Sequence, residues 1–564
     1  QHIKDILATL PKSAGEDLKE FTRQFYARIM NPDLERVDAS LAASIAASAY
    51  EFLQSRKPSE PKIRVFQPQK RKHGYEMSSA VVELINDDMP FLVDSLSAEL
   101  IRHGFTIRET FHPIFRVQRD SKGNLKALGT QQEKSKDFFA ESLIHFEISM
   151  LPEGMTEAQL EQDLLWVVQH ICAAVSDWRA IVGKAEDAIK DISNAPAGND
   201  KEVVAEIQDF LRWLIQKNFV FLGYAEYDLS KGGDSLTSDD DLRLGVLKIT
   251  DDLLTADGGA LPPEASNFLR SAQLIEVTKS SRRSAVHRSV PMDTISLKRF
   301  DSKGKLCGEI RFVGLFTSNV YYQSGVEIPL VRKKIEHVLE RSDFDPVSHD
   351  GKSLKAILEF LPRDEIFQMS EDDLFDISLG ILMLEAKPAV RMFVRKDVSE
   401  RFVSVMVFVP RERFSTELRR QIQGIVEKAF NSLSSTFSTL ITEEAPLARL
   451  HLIVKTSPGD IPNVNLSKIE NEIAKRAYLW SDQLKEALIA RHGEQRAQKY
   501  IRKYGNAFSQ SYINRYDANG CVYDIEKIEE AQEKNSLVMD LYSNKAEDAS
   551  FLHLKIYNPL YEIA

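Results

Sequence analysis

Hydrophobic side chains along this sequence switch repeatedly between two spacings, every second residue and every third or fourth. The chain is therefore committed to an α+β fold, with strands and helices packed face to face. The sharpest switch lies at residues 79–104. SSAVVELIN alternates as a strand, and NDDMPFLVDSLSAELIRHG then reads as a helix with Met89, Leu92, Val93, Leu96 and Leu100 on one face. Asp87 or Asp88 is placed to cap that helix, Pro90 to fill its first turn and Gly104 to stop it. FTIRETFHPIFRVQRD alternates next, with Phe105, Ile107, Phe111, Phe115 and Val117 pointing one way. ESLIHFEISML is a further strand, and TEAQLEQDLLWVVQHICAAVSDW an amphipathic helix. The order β-α-β-β-α makes most of a ferredoxin-like α/β sandwich over 75–185.

With 564 residues, the chain is too long for one core, and ~100–200 residues per domain implies a multidomain chain. Residues 1–74 read as a helical segment and linker. Phe21, Phe25, Ile29 and Met30 fall at helical spacing, and RKPSEPKIRVFQPQKRKHG reads as a solvated, proline-rich basic connector. Residues 200–345 are strand-rich and predict a mixed sheet, its last two strands joined by a turn at Asp301–Gly304. A helical connector follows at 346–387. The order β-β-α-β-β-α then gives a second sandwich at 388–480, where RFVSVMVFVP is apolar on both faces and therefore central. Residues 481–550 read as helical, and 551–564 as the start of a further, truncated α/β domain, so both ends look cut.

Hydrophobic residues make up 43% and charged residues 28%, a globular balance. The net charge of -11 argues against nucleic acid as a partner, and no apolar run approaches the ~18–20 residues that span a membrane. Three scattered cysteines, Cys172, Cys307 and Cys521, make neither a disulfide framework nor a zinc site and suit a reducing cytoplasm. There is no glycine-rich dinucleotide or phosphate loop, no H-E-x-x-H and no G-x-S-x-G. Hence no catalytic residue and no metal ligand is assigned, and the acidic run SDDDL at 238–242 reads as a solvated loop.

Two candidate binding sites remain. The strand-to-helix turn comprises Asn86, Asp87, Asp88, Met89, Pro90 and Phe91, with Asp94 in the first helical turn. Such a turn offers free N–H groups and the positive end of a helix dipole to a small carboxylate. Here the aspartates either cap the helix themselves or hold an amino acid's ammonium group. The second candidate is a basic cluster, Lys279, Arg282, Arg283, His287 and Arg288. It suits phosphate or carboxylate recognition, or salt bridges to acidic segments of a neighbour.

Several long strings go beyond generic folds: NDDMPFLVDS, NFVFLGYAEYDL, SAVHRSVPMD, GEIRFVGLFTS followed by IPLVRKK, PRDEIFQ, and VRMFVRKDVSERFVSVMVFVPRERFST. In this order, over roughly residues 20–564, they closely resemble the N-terminal half of the large NAD-specific glutamate dehydrogenases of bacteria. NDDMPFLVD also resembles the strand–helix turn of ACT domains, which often bind amino acids as effectors. The resemblance implies ACT-like sandwiches at 75–185 and 388–480 and a PAS-like sheet domain at 200–345, joined by helices. For the full-length enzyme it implies NAD as cofactor, conversion of glutamate to 2-oxoglutarate and ammonia, and a homo-oligomer. For this chain it implies a regulatory and assembly segment without the catalytic domain, without cofactor and inactive alone. Its partners would be the catalytic remainder of the polypeptide and an amino-acid effector. A free-standing amino-acid sensor and a purely structural assembly module are the alternatives. Where ACT turns commonly have glycine after the proline, this chain has Phe91, whose ring would fill the ligand space.

Overall fold

The computed structural model describes residues 2–559 except 12–13, 28–36, 131–132, 134, 197–200, 231–234, 251–262, 387–388, 398–400, 443–444, 458, 478–479 and 543–552. Ile29 and Met30, expected on a helix face, lie outside the described residues. The fold is α+β and multidomain, and it divides into two compact units, Gln1–Asp376 and Ile377–Ala564.

Unit 1 opens with helices α1 (His2–Thr9), α2 (Glu16–Tyr26) and α3 (Ala39–Leu53), which lie against one face of a six-stranded antiparallel sheet. The strands are β1 (Lys62–Phe66), β2 (Ala80–Asp87), β3 (Ile107–Phe111), β4 (Ile114–Arg119), β5 (Leu125–Gly129) and β6 (Phe139–Ile148). Their order is β1-β2-β6-β4-β5, with β3 also on β6. Helices α4 (Leu92–Arg102) and α5 (Glu157–Asp191) cover the other face. β2 is buried along nearly its whole length because successive residues serve opposite cores. Ala80, Val82 and Leu84 pack with α4 and α5, and Val81 and Ile85 with α1–α3. This two-sided burial corrects the expected solvated linker: its KIRVF segment is β1, in register with β2, and its Arg56 is 3% exposed.

The alternation over Phe105–Val117 does not stay on one face as expected. Phe105 and Ile107 join the α4–α5 core, but Phe111, Phe115 and Val117 join the α1–α3 core. A register shift between Ile107 and Glu109 places one extra residue against β6 and reverses the facing of everything after it.

α5 begins with a capping box, Thr156 with Gln159, and runs for 35 residues, long enough to reach a second sheet. After α6 (Lys201–Trp213) come β7 (Phe219–Leu229), β8 (Leu236–Thr237), β9 (Leu244–Gly245), β10 (Ile275–Arg283), β11 (Pro291–Phe300) and β12 (Leu306–Phe316). The order is β10-β11-β12-β7-β8, with β9 on β7, and α5 touches β7 and β9. All registered pairings are antiparallel, so the mixed sheet expected here is corrected. The reason is local: β10, β11 and β12 follow one another through short connections, including the expected turn at Asp301–Gly304. Helices α7 (Val331–Ser342), α8 (His349–Phe360) and α9 (Arg363–Gln368) follow, and α10 (Glu371–Ala386) contains the division between the units.

Unit 2 holds the second sandwich: β13 (Arg391–Lys396), β14 (Phe402–Pro410), α11 (Thr416–Ala429), β15 (Ser434–Leu440), β16 (Leu447–Lys455) and α12 (Leu466–Ala477). The antiparallel order is β13-β14-β16-β15, so β14 is central, as its two-sided apolar pattern predicts. Val403, Val405 and Val407 pack with Ile422, Val426 and Ile473 of the two helices. Four more helices end at Lys534, where Asn535 turns the chain with φ 45. The helical reading to 550 is corrected there by β17 (Val538–Tyr542), which pairs with β18 (His553–Tyr557).

The face between α1–α3 and the first sheet is held by aromatic packing, with the Phe21 and Phe115 rings stacked at 4.7 Å and both fully buried. Phe115→Ala should lower the unfolding free energy of unit 1 by ~3–5 kcal/mol in a urea titration followed by circular dichroism. A loss below ~1 kcal/mol would contradict the two-sided core.

Candidate functional site

β2, an interior strand, delivers the turn at its C-terminal end, where two buried arginines meet one carboxylate. Glu141 of β6, fully buried, accepts Arg119 at 2.9 and 2.7 Å and Arg56 at 2.9 Å. The same Arg56 Nη1 reaches Asp87 at 2.6 Å. Asp88 accepts Ser142 Oγ–H at 2.7 Å and donates its own N–H to the Ala140 carbonyl at 3.1 Å. Neither aspartate therefore caps the helix as expected. Both are drawn toward the sheet by a cation and a hydroxyl that lie far away in sequence. Asn86 is 1% exposed and donates to the Asp87 carbonyl at 3.1 Å. The Met89 sulfur lies 3.9 Å from Cys172 Sγ, and burial pushes that thiol's pKa up, away from reactivity. Pro90 is exposed.

The residue at the N-cap of α4 is Phe91, held at φ 75. A bulky residue in the left-handed region costs ~1–2 kcal/mol, so something must hold it there. The Phe91 carbonyl accepts both the N–H and the hydroxyl of Ser95, the latter at 2.6 Å. Its ring lies 5.2 Å from the ring of His287, which belongs to the loop between β10 and β11. His287 is itself at φ 69; its N–H donates to Ser95 Oγ at 2.8 Å, and its Nδ1 is 3.5 Å from Asp94 Oδ2. Val286, fully buried, enters the same core as Leu92 and Leu96. The turn and the basic segment thus meet at one junction, where the mouth of α4 faces protein.

The rest of the basic cluster does not converge on an anion site. Lys279 is taken inward by Asp293 at 2.6 Å and Asp364 at 3.1 Å, with Tyr321 O–H on Asp364 at 3.1 Å. Arg283 donates to the Ser289 carbonyl at 2.7 Å and Arg288 to the Phe316 carbonyl at 2.5 Å, while the Arg282 N–H rests on Ser280 Oγ at 3.1 Å. Burial pushes Asp293 up to about 6, with Asp364 adding to the rise and Lys279 opposing it. For Lys279, burial works toward a lower value, but Asp364 and Asp293 outweigh it and hold the ammonium well above its usual pKa.

Among the described residues, every registered strand pair is antiparallel, and the strand–turn–helix at 80–102 carries DDMPF rather than glycines. These residues therefore do not fit a dinucleotide, which needs a close backbone approach at a glycine-rich turn. Sequence reading missed Arg56, Arg119, Glu141, Asp293 and Asp364. The only signal was the unusual charge content of segments that otherwise alternate as strands.

Four family models match in order. Residues 21–164 match the ACT1 domain of glutamate dehydrogenase, 328–387 its helical motif 1, 391–481 its ACT2 domain and 487–531 its helical motif 2. The NAD-specific glutamate dehydrogenase of Halomonas elongata is 32% identical over 558 residues, covering 97% of this chain and 34% of that protein. The Pseudomonas aeruginosa enzyme of the same name is 31% identical over 95% of the chain and 33% of its own length. The Mycobacterium tuberculosis one is 23% identical over 72% and 25%. The chain thus spans about a third of the length of the curated relatives it matches. These alignments correct the expectation of a separate regulatory and assembly segment without the catalytic domain, and with it the free-standing sensor and assembly module. The chain aligns almost from end to end with about a third of the dehydrogenase, and the models it matches there are the ACT domains and helical motifs of that same enzyme, so it is a part of the dehydrogenase rather than a separate module.

Unfolding free energy measured in urea across pH tests the Lys279 triad. Because the folded-state pKa of Asp293 is raised, its contribution is full below ~4, its unfolded value, and is lost as pH rises through about 6. The stability of the wild type minus that of Asp293→Asn should therefore fall across that window, and a difference that grows with pH would refute the assignment.

The order and residues of these matches identify the chain as a member of the large bacterial NAD-specific glutamate dehydrogenase family.

Proposed function

We propose that the protein containing this chain oxidises L-glutamate with NAD, releasing 2-oxoglutarate and ammonia. One observation carries the reading: 97% of the chain aligns at 32% identity with an enzyme of that name. The intact natural protein should reduce NAD only when L-glutamate is present, followed by absorbance, and should use NADP poorly. Failure of the purified intact protein to reduce NAD with glutamate would overturn the proposal.

The same proposal includes domains at 75–185, 200–345 and 388–480, with 200–345 read as PAS-like. An antiparallel order in which the first long strand, β7, lies between the last, β12, and the second, β8, supports that reading. It also includes a homo-oligomer in the cytoplasm. Three unpaired cysteines favour a reducing compartment, and no described helix is long and apolar enough to cross a membrane.

An amino-acid effector at Asn86–Phe91 and Asp94 remains part of this reading, in competition with His287 for the mouth of α4. His287→Gly suits the backbone at φ 69 and removes the ring from Phe91 and Asp94. Calorimetric titration of the twenty amino acids should give binding heat that is stronger in this variant than in the wild type. No heat in either protein would remove the effector site from the reading.

A further inference from the structure

The helical layer of the second sandwich carries an open trough that the dehydrogenase reading leaves unused. It lies between α11 and α12 and has a volume of 710 Å³. Its floor is apolar, with Ile425, Ala429 and Val464 half-buried over Ile469 of the sandwich core. Gly424 forms part of one wall, and a Cβ added there would meet no atom within 4 Å, so the glycine faces open space. Glycine costs ~1 kcal/mol in a helix relative to alanine, and at this position neither a positive φ nor a close neighbour requires it.

The rim is cationic. Lys428, Lys468 and Arg476 line it, and none has an ion-pair partner among the described residues; Glu472 is the single carboxylate. In a chain of net charge -11, this is a local reversal of sign. α12 has 12 residues and is therefore ~18 Å long, about three helical turns. A small ligand is usually buried over most of its surface, whereas this trough between two helices is open to solvent, which suits a helix laid in with one face down.

We propose that the α11–α12 trough docks an amphipathic helix whose apolar stripe is flanked by aspartate and glutamate. Apolar side chains at i, i+3, i+4 and i+7 would cover Ile425, Ala429 and Val464, beside the space left by Gly424. The acidic flanks would meet Lys428, Lys468 and Arg476. Steering by exposed charges makes the association weaken with salt.

The test uses the whole chain and a fluorescent synthetic peptide of ~15 residues, with leucines at helical spacing flanked by glutamates, followed by anisotropy. Two variants report on the trough. Lys428→Glu combined with Lys468→Glu and Arg476→Glu reverses the rim. Gly424→Leu fills the wall and improves helix propensity, so lost binding in it does not reflect unfolding. Each should weaken peptide binding at least about tenfold. Unchanged binding in Gly424→Leu overturns the proposal, as does equal binding by a peptide of the same composition with prolines breaking its helix. Binding of decanoate with none of the peptide also overturns it, reassigning the trough to a small anionic amphiphile.

Discussion

Covering both faces of the first sheet forces charge into its interior, and the surrounding arrangement depends on how that charge is neutralised. β2 and β6 lie between α1–α3 and α4–α5, so Glu83, Asn86, Glu141, Ser142 and His145 have no water to turn to. Glu83 is set against His145 Nδ1 at 2.8 Å and Arg64 Nε at 2.7 Å. Burial alone would raise its pKa, but these two partners outweigh it and hold the carboxyl below its ordinary value. Glu141 is matched by Arg56 and Arg119. Removing one partner from such a pair costs ~3–5 kcal/mol, because the other is left charged and dry. Arg56 also grips Asp87, so the same neutralisation that keeps β6 in register sets the shape of the turn leading into α4.

The junction between that turn and the β10–β11 loop balances strain on both sides. Phe91 and His287 are both non-glycine residues at positive φ, and each ring stands against the other. Ser95 joins them, bonding the Phe91 carbonyl and accepting the His287 N–H through one hydroxyl. Two unfavourable backbone conformations are thus kept by a shared contact, and Val286 anchors the loop in the core beneath.

What the sequence made legible was local. The β2–turn–α4 switch, the stop at Gly104 and the central place of β14 all follow from patterns within about twenty residues. What it hid depends on distant partners. KIRVF becomes a strand only because Val81 to Ile85 are there to pair with it, and its charges and the flanking prolines disguised that. The reversal of facing after Ile107 comes from one unpaired residue, which periodicity cannot register. Lys279, Arg283 and Arg288 read as a cluster because they are neighbours in the chain, yet strand pairing and loop folding send each to a different acceptor. Family membership came from long strings of residues, whereas the division between catalytic and non-catalytic roles had no such string behind it.

In both sandwiches, the outer strand beside the first core strand, β1 or β13, precedes that strand in the chain, so each module is entered through an edge and left through a helix. A polypeptide leaving through a helix is free to overshoot, and α5 does so. Its 35 residues amount to a rod of about 52 Å. One end is bolted beneath the first sheet and the other beneath β7 and β9, which makes it a common keel for two sheets. One uninterrupted helix with a packed footing at each end therefore sets the spacing of the two sheets along its axis.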